Sequence, residues 1–208
     1  MWNYEKRLQY PINITTPNAK LAQFIMSQYG GPDGEMAASL RYLSQRYAMP
    51  DRRVMGVLTD IGTEELAHLE MIATIVHQLT RNLSMEEIEN SGLGAYYIDH
   101  TIGIWPQAAG GVPFNACEFQ SKGDAITDLH EDMAAEQKAR VTYDNILRVV
   151  RNTPEVADPI RFLREREIVH YQRFGEALRL IQDDLDGKNF YAFNPGFDKP
   201  ASCPDCGH

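Results

Sequence analysis

Glu-x-x-His occurs twice in the chain, as Glu65-Leu66-Ala67-His68 and Glu167-Ile168-Val169-His170, and each copy interrupts an apolar stripe at its middle. Stepping by three and four along the first segment gives Val54, Leu58, Ile61, Glu65, His68, Ile72, Ile75 and Leu79. The second gives Val156, Ile160, Leu163, Glu167, His170, Phe174, Ala177 and Ile181. Residues three apart lie about one turn apart on one helical face, so both Glu–His pairs point inward with their apolar neighbours. Few folds accept that. Burying carboxylates and imidazoles without partners is prohibitively costly, so the helices that carry them must meet around something that neutralises them.

Two more segments show helical periodicity. From Asp124 to just before Thr153-Pro154 the stripe reads Ile126, Leu129, Met133, Glu136, Arg140, Tyr143, Leu147 and Val150, again with a glutamate at mid-length. From Thr16 to about Ala48, Leu21, Phe24, Glu35, Ala38 and Tyr42 share a stripe across Gly30-Gly31-Pro32, which should kink or restart the helix. The Glu-x-x-His segments themselves follow Pro50-Asp51 as far as about Arg81, and begin between Pro154 and Pro159 to fade by Asp186-Gly187. Ser84-x-x-Glu87 is a capping box for a short extra helix, and a Gly-rich, aromatic stretch follows from Gly92 to Gly123. No strand alternation is sustained. Two short loops and one long connection predict an all-α four-helix bundle with a single crossover, the ferritin-like topology, over residues 1–186. Residues 187–208, rich in Pro, Gly, Asn and Phe, read as an extended C-terminal arm lying on the domain or on a neighbouring subunit.

Fifteen glutamates and six histidines in 208 residues would produce Glu-x-x-His about 0.4 times by chance, so two copies at matching stripe positions are informative. Glu35 and Glu136 add one carboxylate from each of the other helices. Two divalent cations balance four ionised carboxylates, and one Glu from each of two helices plus Glu-x-x-His from each of the others is the donor pattern of di-iron and di-manganese carboxylate bundles. The competing reading is a core ion-pair network using Arg140 and Arg173. Glu64, Glu131, Asp132 and Glu165 fit the stripes poorly and are expected to face solvent or to pair with lysine or arginine. His77, His100 and His130 lack the motif and are expected to be surface or hydrogen-bonded residues. Tyr42, seven residues after Glu35, is placed to donate a hydrogen bond to a ligand carboxylate, or is a plain core tyrosine.

The chain carries 20 Lys and Arg against 29 Asp and Glu, a formal charge of −9. That balance argues against nucleic acid or anionic membrane as the main partner. No apolar run approaches a membrane span, and the polar opening from Met1 to Arg7 lacks the apolar stretch of a secretory signal, so synthesis in the cytosol is expected. Three cysteines, Cys117, Cys203 and Cys206, make no disulfide framework for a domain of this size. Cys203-Pro204-Asp205-Cys206-Gly207-His208 supplies only three of the four ligands that zinc normally takes, which leaves a shared site, a cross-link or idle thiols open.

At these residues the sequence resembles the manganese catalases of the ferritin-like superfamily. Gly30-Gly31-Pro32-Asp33-Gly34-Glu35, Asp60-Ile61-Gly62-Thr63-Glu64-Glu65-Leu66-Ala67-His68-Leu69-Glu70 and Arg164-Glu165-Arg166-Glu167-Ile168-Val169-His170 carry the likeness, which covers about residues 15–185. The opening, Met1-Trp2 through Tyr4-Glu5-Lys6 to Leu8-Gln9-Tyr10-Pro11, is similar to the spore-coat subgroup. The resemblance implies Glu35, Glu65, His68, Glu136 and His170 as ligands to two manganese ions, with Glu167 as an outer-sphere carboxylate that accepts and donates protons. It implies disproportionation of hydrogen peroxide to water and dioxygen, a homohexamer, and a place in the spore coat alongside other coat proteins. Some relatives carry an arginine just before the third glutamate, where this chain has Ala135. A structural coat protein with low activity and a di-iron oxidase or iron-storage protein are the alternatives, because O and N ligands alone do not separate manganese from iron.

Overall fold

The computed structural model describes residues 3–187, which are helical apart from loops and one isolated antiparallel bridge between Gln107 and Pro113. Eight α-helices follow one another: α1 Ala19–Ile25, α2 Ser27–Gly30, α3 Glu35–Gln45, α4 Arg52–Thr80, α5 Met85–Glu89, α6 Gly94–His100, α7 Ala125–Val150 and α8 Pro154–Gly187. Their starts are chemically specified. Asn18, Asp51 and Asp124 each accept a backbone N–H of the first turn of α1, α4 and α7, and Pro154 opens α8, where its missing N–H costs nothing. Ser84 and Glu87 form the expected reciprocal capping box at α5. The arm after Gly187 and the Cys203–Cys206 pair lie outside the described residues. Among the described residues, no helix is long and apolar enough to cross a membrane.

The bundle is α4, α7, α8 and a first column made of α1, α2 and α3. Two apolar clusters fix the directions. One gathers Ala22, Ile25, Ile72, Ile75, Leu79, Tyr143, Ile146, Val150, Val156, Ile160 and Leu163, and the other gathers Tyr42, Val54, Leu58, Ile61, Leu129, Phe174, Ala177 and Ile181. The order in which each helix visits them makes α4 and α7 parallel and α8 antiparallel to both. Residues 81–124 must therefore travel back along the bundle, and they form the expected single crossover, with α5 and α6 along it. The stripes of α4 and α8 are buried as the periodicity requires, and the Glu-x-x-His of each falls between the two apolar clusters.

The first column departs from the expected helix over Thr16–Ala48. It is divided at Met26 and again between Gly31 and Gly34, and it ends in a 3-10 turn, Arg46–Ala48. The crossover explains the second break, because a Cβ on Gly30 would stand 2.2 Å from the backbone N of Gln107 and 2.4 Å from the carbonyl carbon of Pro106. Only glycine lets the two backbones pass. Gly30→Ala is expected to destabilise the protein by about 1–3 kcal/mol, read as a lower urea midpoint, since the obstructing atoms are main chain and cannot rotate away. The restart after the break makes Glu35 the first residue of α3 and so aims it into the bundle. In the crossover, α6 was not legible in a stretch that read only as Gly-rich and aromatic.

Candidate metal centre

Four helices deliver six polar side chains to the layer between the apolar clusters: Glu35 from α3, Glu65 and His68 from α4, Glu136 from α7, Glu167 and His170 from α8. All six are at most 2% exposed. The two oxygens of Glu65 stand 2.7 Å from His68 Nδ1 and 2.7 Å from His170 Nδ1, so this carboxylate lies between the imidazoles. Glu35 reaches His68 Nδ1 at 3.8 Å, and Glu136 reaches His170 Nδ1 at 3.6 Å. The rings lie 5.6 Å apart and nearly parallel, at 22°. Donor atoms of Glu65, His68, Glu167 and His170 all fall within 4.8 Å of one another. The sequence-derived set is thus brought together complete.

Glutamates and tyrosines on α3 and α7 pair reciprocally. Tyr42 donates to Glu136 at 2.5 Å, and Tyr143 donates to Glu35. Each tyrosine follows the glutamate of its own helix by seven residues, two turns along one face, so antiparallel helices place each hydroxyl on the opposite carboxylate. Tyr42 takes the hydrogen-bonding role its spacing suggested. Tyr143 has the same spacing from Glu136 and was missed, having been read only as part of the apolar stripe.

Glu64 pairs with an arginine as expected; what its place off the stripe did not suggest, a first correction, is its contact with the histidines. Glu64 meets Arg166 at 2.8 and 3.0 Å, and accepts from Gln9 at 2.7 Å. It also meets the outward nitrogens of both rings, His170 Nε2 at 3.0 Å and His68 Nε2 at 3.6 Å. A carboxylate on Nε2 fixes the N–H there and leaves Nδ1 free to ligate, which is how outer carboxylates orient metal-bound imidazoles. Glu64→Gln is expected to cut metal affinity or activity about 10–100-fold, measured by competition with a chelator and by initial rates. Of the other residues weighed, Glu131 pairs with Arg41 and Glu165 with Arg164, as expected. Asp132 is the second correction: α3 covers it, and it is fully buried. His77 and His130 are exposed, and His100 stacks on Trp105.

Without a cation the cluster holds protons. Burial, then Glu65, pushes Glu35 up to about 8, and burial with Glu136, Glu35 and Glu65 pushes Glu167 well above the carboxylate range. Burial alone would lower the histidines, but Glu65 and the surrounding carboxylates outweigh it, lifting His170 to about 12 and His68 well above the usual value. Glu65 goes the other way, because both histidines overcome its burial and hold it below the ordinary range. Ligands bind metal only after losing their protons. Loading should therefore expel protons from His68, His170 and Glu35, and affinity should rise with pH from acid through neutrality. Metal titrations in buffers of different ionisation enthalpy would count the protons.

The donor set fits divalent cations. Glu136 Oε2 and Glu167 Oε1 are buried without a hydrogen-bonding partner, and Glu65 Oε1 and His170 Nδ1, though 2.7 Å apart, do not meet in hydrogen-bonding geometry, an arrangement that cations satisfy and an apolar core does not. The ion-pair alternative fails on contacts: Arg140 pairs with Asp144 and Arg173 with Asp60, both away from the cluster. A family model described as "Manganese containing catalase" matches residues 1–190. This chain is a member of the manganese catalase family. Among its manganese catalase relatives, a "Probable manganese catalase" of Clostridium acetobutylicum is 31% identical over 91% of this chain and 85% of its own length. "Protein CotJC" of Bacillus subtilis is 52% identical over 92% of this chain and 100% of its own. The crystal structure of KatB, a manganese catalase from Anabaena, superposes with a TM-score of 0.75 at 27% identity, covering 99% of this chain and 87% of KatB. The all-helical, ferritin-like expectation accordingly holds for this manganese catalase family member.

Proposed function

We propose that the protein disproportionates hydrogen peroxide to water and dioxygen at two manganese ions held by Glu35, Glu65, His68, Glu136 and His170. The observation that carries this reading is the buried cluster of four carboxylates and two imidazoles with unpartnered inward atoms, in a chain of the manganese catalase family. Glu35 with His68 and Glu136 with His170 would hold one ion each, and Glu65, facing both Nδ1 atoms, would lie between them. When bound, the manganese pair supplies two-electron storage, so that one peroxide is oxidised and the next reduced.

The chain's own residues manage protons and orientation. Oxidising one peroxide to dioxygen releases two protons, and reducing the other to water consumes two. An ionised carboxylate beside the reacting oxygens can take one of these protons and return it, the other being carried by oxygen groups of the substrate and product. Glu167 suits that role because it is buried in the cluster, its Oε1 makes no hydrogen bond in good geometry, and in the metal-free protein burial and the neighbouring carboxylates raise its affinity for a proton. Tyr42 and Tyr143 fix Glu136 and Glu35, and Glu64 fixes the His170 imidazole while its charge lies 3.6 Å from His68 Nε2. The apolar clusters above and below exclude bulk water from this layer.

The same reading places the protein in the spore coat as a homo-oligomer. It is supported by the opening that is similar to the spore-coat subgroup and by the 52% identity with Protein CotJC. Purified manganese-loaded protein should evolve dioxygen from peroxide, and antibody labelling of spore sections should place it in the coat. Iron loading with ferrous-dependent oxygen consumption would instead assign the scaffold to an oxidase.

A further inference from the structure

A second set of buried polar atoms lies outside the metal centre, in the seam between α3 and α7. Asp132 is fully buried, with the Gln45 side chain and the Arg41 charge beside it, yet neither of its carboxyl oxygens meets them in good hydrogen-bonding geometry. Beside it stand Arg41, 2% exposed with Nη1 unpartnered, and Gln45, fully buried with Oε1 unpartnered. The other nitrogens of Arg41 are engaged: Nε donates to Glu131 and Nη2 to the carbonyl of Pro32, both at 3.2 Å. Gln45 donates to the carbonyl of Gln120 at 3.0 Å and to Glu131 at 3.3 Å.

A chain of polar contacts runs from the surface toward the centre. Gln120 is exposed and Glu131 is 27% exposed, which gives the seam an outer end. At its inner end Asp132 lies one turn before Glu136 on α7, while Tyr42 adjoins Arg41 on α3 and donates to Glu136. The unpartnered atoms comprise a donor, Arg41 Nη1, an acceptor, Gln45 Oε1, and the Asp132 carboxyl, whose burial favours the protonated form and so lets it both donate and accept. Leaving such groups dry is costly, and a guest with both O–H donors and oxygen lone pairs satisfies them. Water and hydrogen peroxide both have that pattern, whereas apolar dioxygen does not.

We propose that Asp132, Arg41 and Gln45 form a binding station for small hydroxylic guests, water and hydrogen peroxide, on a polar route from solvent at Gln120 and Glu131 to the metal centre. No bond is made or broken there, and the guest arrives and leaves intact. The peroxide half of the proposal rests on the peroxide reading of the centre; the hydration half does not.

Two measurements test it. A high-resolution crystal structure of the purified protein should show an ordered oxygen within hydrogen-bonding distance of Arg41 Nη1 and Asp132, and a dry cluster overturns the station whatever the activity. With manganese content matched, Asp132→Leu should lower kcat/KM for peroxide about tenfold, the loss expected for one hydrogen bond to a passing guest, while kcat falls less than twofold. Unchanged kcat/KM overturns the peroxide route, and so does an equal fall in kcat and kcat/KM, which would mean that the substitution had reached the centre. Should the leucine variant not fold, Asp132→Asn, of the same shape, is expected to lose about threefold in kcat/KM, with no change being the contrary result. If the wild-type protein fails to consume peroxide, the functional reading falls, and the crystal structure still decides the station.

Discussion

Replacing Glu167 by glutamine is expected to lower peroxide turnover about 10²–10⁴-fold, the range over which positioned acids and bases contribute, while metal content stays at the wild-type level. The substitution keeps the shape of the side chain and removes only its capacity to take up a proton. That capacity is what the surroundings favour, since burial and the three neighbouring carboxylates all hold the proton on Glu167. Oxygen evolution and elemental analysis on the same preparation separate the possibilities. Loss of metal would make Glu167 a ligand, a role open to an atom set that already lies within 4.8 Å of the Glu65, His68 and His170 donors. Unchanged turnover with full metal would show that protons move by another group.

Glu65→Ala should have the largest effect on the centre itself. Glu65 contacts both Nδ1 atoms at 2.7 Å, and no other carboxylate does so. Its removal is expected to leave the protein without its full metal complement and with peroxide turnover reduced to background. It should also destabilise the metal-free form by about 3–5 kcal/mol, because two raised histidines lose the buried counter-charge they share. Chelator-treated wild-type and variant proteins compared by urea unfolding would read that difference without any metal contribution. Equal midpoints would show that Glu65 balances nothing in the metal-free state.

The part of the architecture set by long periodic stripes was legible in the residues. Glu65-x-x-His68 and Glu167-x-x-His170 interrupt stripes whose apolar members are all buried, so the motif position alone located the polar layer between two apolar clusters. Glu35 was harder, because its phase depends on where α3 restarts after the break. The break was legible in Gly30-Gly31-Pro32, but not the close approach of Pro106 and Gln107, about seventy residues downstream, that requires glycine there. Glu64 pairs with Arg166 as expected, and its further contact with an imidazole was not foreseen for a geometric reason. It lies one residue from the inward stripe, but imidazoles bury one edge and present the other sideways, where an off-stripe carboxylate reaches it. Asp132 was misread because its cover comes from α3 and not from its own helix. Tyr143 could have been found, since its seven-residue spacing from Glu136 repeats that of Tyr42 from Glu35.

On the proposed function, a manganese pair in the buried cluster works on peroxide. The most direct test is elemental analysis of protein purified from manganese-supplemented cells, with oxygen evolution after peroxide measured on the same sample. About two manganese per chain accompanied by dioxygen release is the predicted result, from a cluster whose four carboxylates balance two divalent cations. Protein that is folded but binds no metal, or that holds two metals and releases no dioxygen, would contradict it.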